Sequence, residues 1–266
     1  MRHQTNIQDN MLKSRGDLYN MAKIISVINQ KGGVGKTTTA INLSSALATL
    51  GKKVLLVDMD AQANSSRGLG IDNSLMNYSV FDLFSNSVDV KEVIKHTFPN
   101  LDLLPSKLKL FEFESDDYFV LKNKLSQIND RYDFIIIDCP PSLGYLTINA
   151  LAASNSVIIP LQCEYFAMDA ISQLLPFISK IQKSYNPDLE IEGFLFTMID
   201  MNTKNAVETS QQLRSIFKEN ILYTTIPRNV SLPESNSIGK PVVLYRPKSK
   251  GAQAYIALAK EILEKR

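Results

Sequence analysis

Short runs of apolar residues alternate along the chain with longer segments whose apolar residues recur at helical spacing. Most of the short runs are apolar throughout, a pattern typical of parallel strands that are covered on both faces. The predicted strands are residues 24–29, 54–58, 101–104, 134–138, 157–160, 193–199 and 223–226. The predicted helices are residues 37–50, 118–129, 147–153, 167–185, 206–219 and 252–264. This alternation predicts an α/β fold, a doubly wound and mostly parallel sheet with helices on both faces.

The same pattern sets the expected domain organisation. No linker rich in proline, glycine or serine divides residues 21–266, so one domain is predicted there. The polar residues 1–20 lack the apolar segment of a signal peptide, and a flexible N-terminal extension is predicted for them. Residues 64–99 are less regular, and we expect short helices and loops there, near the functional site.

Composition narrows the classes of protein that remain. The 29 basic and 27 acidic side chains leave a net charge of +2, so binding to nucleic acid would need a local basic patch. No apolar run has the length needed to cross a bilayer. The two cysteines and two histidines are isolated in the sequence, which argues against a disulfide framework, a zinc site or a histidine-based triad. We therefore expect a reduced, cytosolic protein.

A glycine-rich loop joins the first predicted strand to the first predicted helix. Glycines let the backbone approach a ligand closely, so that exposed amides and the helix N-terminus can cradle phosphate. Lys36 is predicted to neutralise β- and γ-phosphate oxygens, Thr37 to bind Mg²⁺, and Thr38 to donate a hydrogen bond to phosphate. A turn that only caps a helix is the alternative, but the strand–loop–helix context favours a nucleotide site. The predicted loop residues are Gly32, Gly33, Val34, Gly35, Lys36, Thr37 and Thr38.

Carboxylates follow two of the predicted strands. Asp58 and Asp60 stand at the end of the second apolar strand, and strand geometry would point these alternate residues to the same side. Asp138 ends another apolar strand. The carboxyl ends of parallel strands face the ligand crevice, and like charges held so close require a cation or a water network between them. Mg²⁺ would suit this position.

The run KGGVGKTT, which begins at Lys31, resembles the deviant Walker A motif of the ParA/MinD family of P-loop ATPases. In that family, the lysine at the Lys31 position reaches across a dimer interface to the nucleotide of the other subunit. The resemblance implies that Lys31 and Lys36 are catalytic, with Lys31 supplying charge in trans as negative charge shifts onto the leaving phosphate. A solvated loop lysine is the alternative for Lys31.

The stretch DMDAQ resembles the second motif of this family, D-x-D-x-Q. By that resemblance, Asp58 belongs to the magnesium shell and Asp60 is a catalytic residue that orients the attacking water. Gln62 and Asn64 are implied as supporting polar groups. Asp138 resembles the Walker B aspartate, which binds Mg²⁺ through water.

Three longer segments resemble the chromosomal ParA (Soj) branch, and the likeness runs almost from end to end after Lys23. They are SLGYLTINAL, PLQCEYFAMDAI and IPRNVSLPESNSIGKPV. Pro227 and Asn229 match positions that flank the adenine in this branch. The resemblance implies an ATPase that uses ATP and Mg²⁺, forms an ATP-bound sandwich homodimer, binds DNA without sequence preference and dissociates after hydrolysis stimulated by a ParB/Spo0J-type protein. It also implies a cytoplasmic, nucleoid-associated protein that does not bind membranes.

Basic residues late in the chain are the predicted DNA contacts, since two copies in a dimer would double their local charge. They are Lys204, Arg228, Lys240, Arg246, Lys248 and Lys250. Such a run is more often just a solvated face. The sequence also departs from the branch, because Ser231 and Asn202 stand where basic residues are common.

Three other functions compete with DNA partitioning. A MinD-like membrane-cycling ATPase would need a membrane-binding amphipathic helix at the C-terminus, but the apolar residues of 252–264 are expected to pack on the sheet. An iron–sulfur reductase would need cysteines at the dimer interface, and Cys139 and Cys163 do not match that placement. A scaffold that binds ATP without hydrolysing it is disfavoured by the joint presence of Lys31, Asp60 and Asp138.

Overall fold

An eight-stranded sheet forms the centre of the computed structural model, which describes residues 21–163, 167–200 and 204–265. The strands are β1 (Lys23–Val27), β2 (Val54–Asp58), β3 (Lys95–Phe98), β4 (Leu101–Leu104), β5 (Phe134–Asp138), β6 (Ser156–Gln162), β7 (Glu190–Ile199) and β8 (Ile221–Pro227). They lie in the order β3-β4-β2-β5-β1-β6-β7-β8, and each neighbouring pair is parallel except β3 with β4. The predicted doubly wound, mostly parallel sheet is confirmed.

Helices cover both faces of this sheet. Among the described residues they are α1 (Lys36–Thr49), α2 (Asn64–Gly68), α3 (Val80–Phe84), α4 (Val90–Val93), α5 (Val120–Leu125), α6 (Tyr145–Ala153), α7 (Ala167–Ser184), α8 (Lys204–Phe217), α9 (Ser231–Ser237), α10 (Val242–Tyr245) and α11 (Lys250–Glu264). The helices α1, α9, α10 and α11 contribute to the core on one face, and α3 to α8 to the core on the other. The short helices expected within residues 64–99 are present.

Burial on both faces explains why the central strands are apolar throughout. In β5, Phe134 and Ile136 join the core on the α1 side, whereas Ile135 and Ile137 join the core on the opposite side. All four side chains are inaccessible to solvent. The predicted bounds of β2, β4 and β5 agree with the structure. In β2 and β5 the side chains alternate between two apolar cores, and both strands end at an aspartate.

The largest differences from the prediction concern four elements, while several other strands and helices differ by a few residues at their ends. Strand β3 was not predicted, because this antiparallel edge strand is only partly buried and includes Lys95 and His96. The predicted helix over residues 118–129 is shorter, since α5 ends at Leu125 and the Ser126 hydroxyl donates back to the Asn123 carbonyl at 2.9 Å. Helices α9 and α10 were also missed, because seven and four residues are too few for a helical period to stand out.

The last helix, α11, packs its apolar side on the core rather than presenting it to solvent. Tyr255, Leu258 and Ile262 are buried against β8 and α1. The carboxylate of Glu261 accepts hydrogen bonds from the backbone amides of Tyr223 at 2.7 Å and Thr224 at 2.9 Å, both on the edge strand β8. Packing of this helix on the sheet is thus confirmed. Among the described residues, no helix combines the length and the apolar character that a membrane span requires.

Some of the predictions concern residues that are not described. The flexible extension predicted over residues 1–20 lies outside the described part of the chain, as does Asn202.

Candidate active site

The glycine-rich loop lies between β1 and α1, at the carboxyl edge of the sheet. Gly33 and Gly35 have φ angles of 75° and 92°, in the left-handed region where a side chain is strained. A Cβ atom placed on Gly32 or Gly33 would meet no other atom within 4 Å, so the loop borders open space. The helix α1 begins directly after Gly35 and turns its N-terminus toward the loop. Backbone amides and helix dipole therefore provide an anion-binding cradle.

Two buried polar side chains, Asn29 and Thr197, fix this loop in place. Asn29, two residues after the end of β1, donates to the Pro160 carbonyl on β6 at 2.8 Å and accepts the Lys31 amide at 2.9 Å. Thr197, on β7, donates its hydroxyl to the Val34 carbonyl at 2.8 Å. Neither residue was predicted as part of the site. Each is a buried polar residue in an apolar strand environment, which is the signal that points to them.

Lys36 is nearly buried, with 8 % of its surface exposed, and its ammonium group lies across the loop. The Nζ atom donates to the Lys31 carbonyl at 3.2 Å. Burial lowers the pKa of Lys36, while the negative charges of Asp138 and Asp60 act in the opposite direction. The structure therefore places one cation between the loop backbone and the two acids.

Asp58 and Asp138 lie side by side at the carboxyl ends of β2 and β5, where they form an in-register pair. Neither side chain is accessible to solvent. Burial and the neighbouring Asp138 raise the pKa of Asp58 to about 8. Burial raises the pKa of Asp138 to about 6, although the hydrogen bond from Ser65 and the influence of the nearby Thr37 hydroxyl oppose this change. A cation bound between two such carboxylates would favour their charged forms and lower both pKa values.

Hydrogen bonds from α2 account for three of the contacts to these acids. Asp58 Oδ2 accepts the backbone amide of Ser66 at 2.8 Å and its hydroxyl at 2.7 Å, and Asp58 Oδ1 accepts the Asp60 amide at 3.2 Å. Asp138 Oδ2 accepts the Ser65 hydroxyl at 2.8 Å, and Asp138 Oδ1 is buried with no hydrogen-bond partner. Ser65 and Ser66 were not predicted as site residues.

The oxygen-rich surroundings fit Mg²⁺. Asp138 has a buried carboxylate oxygen without a hydrogen-bond partner, and the Thr37 hydroxyl acts on the same carboxyl group, so this is a suitable position for a hard cation. Within the described residues, no group of three His, Cys, Asp or Glu side chains is placed to hold a metal by itself. Mg²⁺ commonly keeps several waters and is held by one or two carboxylates together with substrate phosphate, which is the ligand set that Thr37, Asp58 and Asp138 can complete.

Asp60 lies in the turn beyond β2 and is half-buried. Since the strand ends at Asp58, the strand alternation that we used to place Asp60 does not reach it. Its Oδ1 atom accepts the Gln62 amide at 2.9 Å, and its charge acts on both Lys36 and Asp138. Asp60 is therefore placed at the site by the conformation of this turn, and not by the alternation of side chains along β2.

A cavity of about 460 Å³ adjoins the loop on the α2 side. It is lined by Thr37, Asn64, Arg67, Gly68, Asn236 and Ser237. Asn236, on α9, donates to the Thr38 hydroxyl at 3.3 Å, and Arg67 donates to the Gln62 carbonyl at 3.1 Å and to Asn64 Oδ1 at 2.7 Å. The predicted supporting groups Gln62 and Asn64 thus contact Arg67. Arg67 itself was not predicted as a site residue.

Pro227 and Asn229 lie where β8 ends, at the same edge of the sheet as the loop. Both residues are half-buried. The Oδ1 atom of Asn229 accepts the Ser231 amide at 3.0 Å and so supports the start of α9. The predicted adenine contacts of these two residues stay a prediction.

Most of the predicted DNA contacts are exposed and belong to the segment that links β8 to α11. They are Arg228, Lys240, Arg246, Lys248 and Lys250. Arg246 forms an ion pair with Glu234 at 3.1 Å and lies over the Tyr245 ring, so part of its charge is compensated. Lys204 begins α8, and its side chain lies outside the described residues. Helix α10 contacts both α9 and α11, so the segments that carry Lys240, Arg246, Lys248 and Lys250 are close neighbours in the fold.

The two cysteines, Cys139 and Cys163, are not suited to metal binding or to nucleophilic catalysis. Both are buried, and burial raises the pKa of Cys139 to about 12 and that of Cys163 to about 11. A thiol with so high a pKa is a poor metal ligand and a poor nucleophile.

Known proteins share this arrangement over nearly the whole chain. A family model described as "AAA domain" matches residues 22–191, which include the loop and both strand-ending acids. The chain is 48 % identical over 249 residues to "Sporulation initiation inhibitor protein Soj" of Bacillus subtilis (strain 168), covering 91 % of this chain and 98 % of that protein. It is 42 % identical over 253 residues to "Chromosome partitioning protein ParA" of Myxococcus xanthus (strain DK1622), covering 92 % and 89 %. The crystal structure of cobyrinic acid a,c-diamide synthase from Mycobacterium smegmatis with bound ADP and magnesium has a TM-score of 0.80 at 34 % identity, covering 92 % and 95 %.

Proposed function

This chain belongs to the ParA/Soj family of partitioning ATPases, and we propose that it segregates chromosomal or plasmid DNA by cycling between an ATP-bound dimer that holds DNA and a form that has released it. The chain is a P-loop ATPase that uses ATP and Mg²⁺. The observation that carries the proposal is the placement of Lys31 beside a phosphate cradle that faces the buried pair Asp58 and Asp138.

Binding of the triphosphate is assigned to the loop itself. The amides of residues 32–38 donate to phosphate oxygens, and Lys36 moves its Nζ atom from the Lys31 carbonyl to the β- and γ-phosphates. Thr37, Asp58 and Asp138 would hold the metal, which when bound would supply positive charge to the phosphate oxygens. The buried Lys36 costs less to desolvate fully than an exposed lysine would, because most of its surface is already removed from water.

Orientation of the attacking water is assigned to Asp60. Its carboxylate is half-buried, and the Gln62 amide holds one of its oxygens, so the other oxygen is the one available to accept a proton-bearing water. Arg67 binds the backbone of Gln62, which restrains the same turn. Loss of this carboxylate should therefore slow hydrolysis more than it weakens nucleotide binding.

Lys31 is assigned to the active site of a second copy. Its amide is fixed by Asn29 and its carbonyl accepts Lys36, so the backbone that carries this side chain is restrained at the rim of the loop. When two copies face each other across their nucleotides, each Lys31 can approach the phosphate bound by the partner. A lysine brought in this way acts as an arginine finger does, by stabilising charge on the leaving phosphate.

DNA binding is assigned to the exposed basic residues between β8 and α11. A single copy has a net charge of +2, so one chain offers little attraction to DNA as a whole. Two copies place two sets of Arg228, Lys248 and Lys250 in one particle, which raises the number of phosphate contacts. Since each contact adds about 0.9 to the slope of log affinity against log salt, dimerisation gives DNA binding a steep dependence on nucleotide and salt. A ParB-type protein then stimulates hydrolysis and releases the dimer from the nucleoid.

The decisive experiment measures mass and DNA binding of the full chain with ADP, with ATP and with a slowly hydrolysed ATP analogue. We expect dimers that bind DNA of unrelated sequences with ATP or its analogue, and monomers that bind weakly with ADP. Lys31→Ala should lose the dimer, whereas Lys53→Ala, at the opposite edge of the sheet, should retain it. Monomers in the presence of ATP would refute the proposal, and ATP-dependent binding to vesicles without binding to DNA would favour the MinD-like alternative.

A further inference from the structure

The short helix α2 contacts both of the acids that end β2 and β5. Ser65 donates its hydroxyl to Asp138, and Ser66 donates its hydroxyl and its amide to Asp58. Both serines are inaccessible to solvent. We propose that Ser65 and Ser66 are positioning residues of the magnesium centre, which hold the two carboxylates in the orientation that receives the ion. This inference rests on the proposed metal-binding roles of Asp58 and Asp138.

The Ser65 contact selects which oxygen of Asp138 is available. A carboxylate has two oxygens, and Ser65 engages Oδ2 at 2.8 Å while the buried Oδ1 has no hydrogen-bond partner. A buried acceptor without a partner is costly and therefore uncommon in native proteins. The structure thus leaves Oδ1 of Asp138 unsatisfied while Oδ2 is engaged, and we assign to Ser65 the role of holding the carboxylate in this orientation.

The hydroxyl of Ser66, which binds Asp58, is also bonded to a residue that follows a third strand, β4. The hydroxyl of Ser66 accepts the amide of Ser106 at 3.0 Å and donates to Asp58 at 2.7 Å. Ser106 follows β4, so α2 connects the carboxyl ends of β4, β2 and β5. The amide of Ser66 would still bind Asp58 if the hydroxyl were lost. The hydroxyl of Ser65 is the more informative group to remove, because it is the hydrogen bond that the structure records for Asp138 Oδ2.

These contacts resemble the outer hydrogen bonds that orient metal ligands in other proteins. Such bonds are made to the ligand and not to the metal, and their loss typically lowers metal affinity by about 10- to 100-fold. A serine that only fills space in the core would affect the free energy of unfolding and leave the affinity for Mg²⁺ unchanged. The two roles can therefore be separated by measuring metal binding and folding in the same variants.

The test uses Ser65→Ala and Ser66→Ala in the full chain, with Ser44→Ala as the matched control. Ser44 is buried on the neighbouring helix α1, and its hydroxyl has no hydrogen-bond partner. Affinity for Mg²⁺ is measured on the ADP complex by calorimetry, and affinity for ADP is measured in EDTA. We expect Ser65→Ala to weaken Mg²⁺ binding by about tenfold or more, Ser66→Ala to weaken it less, and Ser44→Ala to leave it unchanged. Affinity for ADP without metal should be the same in all four proteins.

Conservative replacements guard against a variant that fails to fold. Across Ser65→Thr, Ser65→Cys and Ser65→Ala, affinity for Mg²⁺ should fall in that order, because the hydrogen-bond donor weakens along the series. Equal affinity across the series, with Asp138→Asn still abolishing metal binding, would overturn the role of Ser65 alone. Two other results would instead refute the metal site on which the inference rests. One is an ADP affinity of the wild-type protein that does not change with Mg²⁺, and the other is normal metal binding by Asp138→Asn.

Discussion

Replacing Asp138 with asparagine should stabilise the nucleotide-free protein above neutral pH while destroying its metal site. The side chain is fully buried, and one of its oxygens has no hydrogen-bond partner. Burial raises the pKa of Asp138 from an ordinary 3.8 to about 6. Asparagine has nearly the same shape, can accept the Ser65 hydroxyl through its carbonyl oxygen, and carries no charge to bury.

The size and sign of the effect follow from linkage between protonation and folding. Because the folded state holds this proton more tightly than the unfolded chain, the wild-type protein loses stability as pH rises from about 4 to about 6. The gap between 3.8 and about 6, at about 1.4 kcal/mol per pKa unit, corresponds to roughly 3 kcal/mol. Asp138→Asn should therefore be about 3 kcal/mol more stable than wild type at pH 8 and no more stable at pH 4. Loss of repulsion on Asp58 acts in the same direction.

The assay is urea unfolding in EDTA without nucleotide, repeated between pH 4 and pH 8. For a chain of this size, a gain of about 3 kcal/mol also raises the melting temperature by roughly 6–12 °C. Asp116→Asn is the control, because that side chain is exposed and its replacement should change neither value. Equal or lower stability of Asp138→Asn at pH 8, or an advantage that grows on acidification, would refute the reasoning.

Three further variants test separate parts of the molecule. Lys36→Ala should abolish ATP-dependent dimerisation, measured by light scattering, since the loop loses its buried cation; a normal dimer would remove Lys36 from its assigned role. Asp60→Ala should still form ATP-bound dimers, and these should persist because the water is no longer oriented, so rapid phosphate release by this variant would exclude Asp60 as the residue that orients the water. Replacing Lys248 and Lys250 with alanine should weaken DNA binding and lower its salt slope by about 0.9 per lost phosphate contact, whereas Lys218→Ala should not; an unchanged slope would mean that the two lysines are only solvated.

The elements that could be predicted are those whose burial leaves a clear pattern of apolar residues in the sequence. The strands β2 and β5 read as uninterrupted apolar runs because both of their faces lie in a core, and each run stops at an acid that belongs to the site. The strand β3 has no such signature, since an edge strand keeps polar side chains partly in water. The helices α9 and α10 are held by tertiary contacts, and a helical period cannot be recognised over a few residues.

The parts of the site that could be predicted are those whose residues lie close together in the sequence. The loop glycines, Lys36 and the two strand-ending acids follow from the order strand, loop and helix. The hydrogen bond from Ser65 to Asp138 spans 73 positions in the chain, and the one from Thr197 to Val34 spans 163. No local pattern joins residues so far apart, and serines or threonines in an apolar context can serve many purposes. These contacts could be recognised only after the sheet had brought the strand ends together.

The pairing of Glu261 with the amides of Tyr223 and Thr224 has a consequence for self-association. An outermost strand with unpaired amides offers a template on which an incoming chain can add a further strand. Here the carboxylate has already taken two of those donors, and the helix that carries it is fixed to the core by Tyr255 and Leu258. The edge strand β8 is therefore a poor site for adding a strand from another copy. A filament of many copies along DNA would have to form through other surfaces.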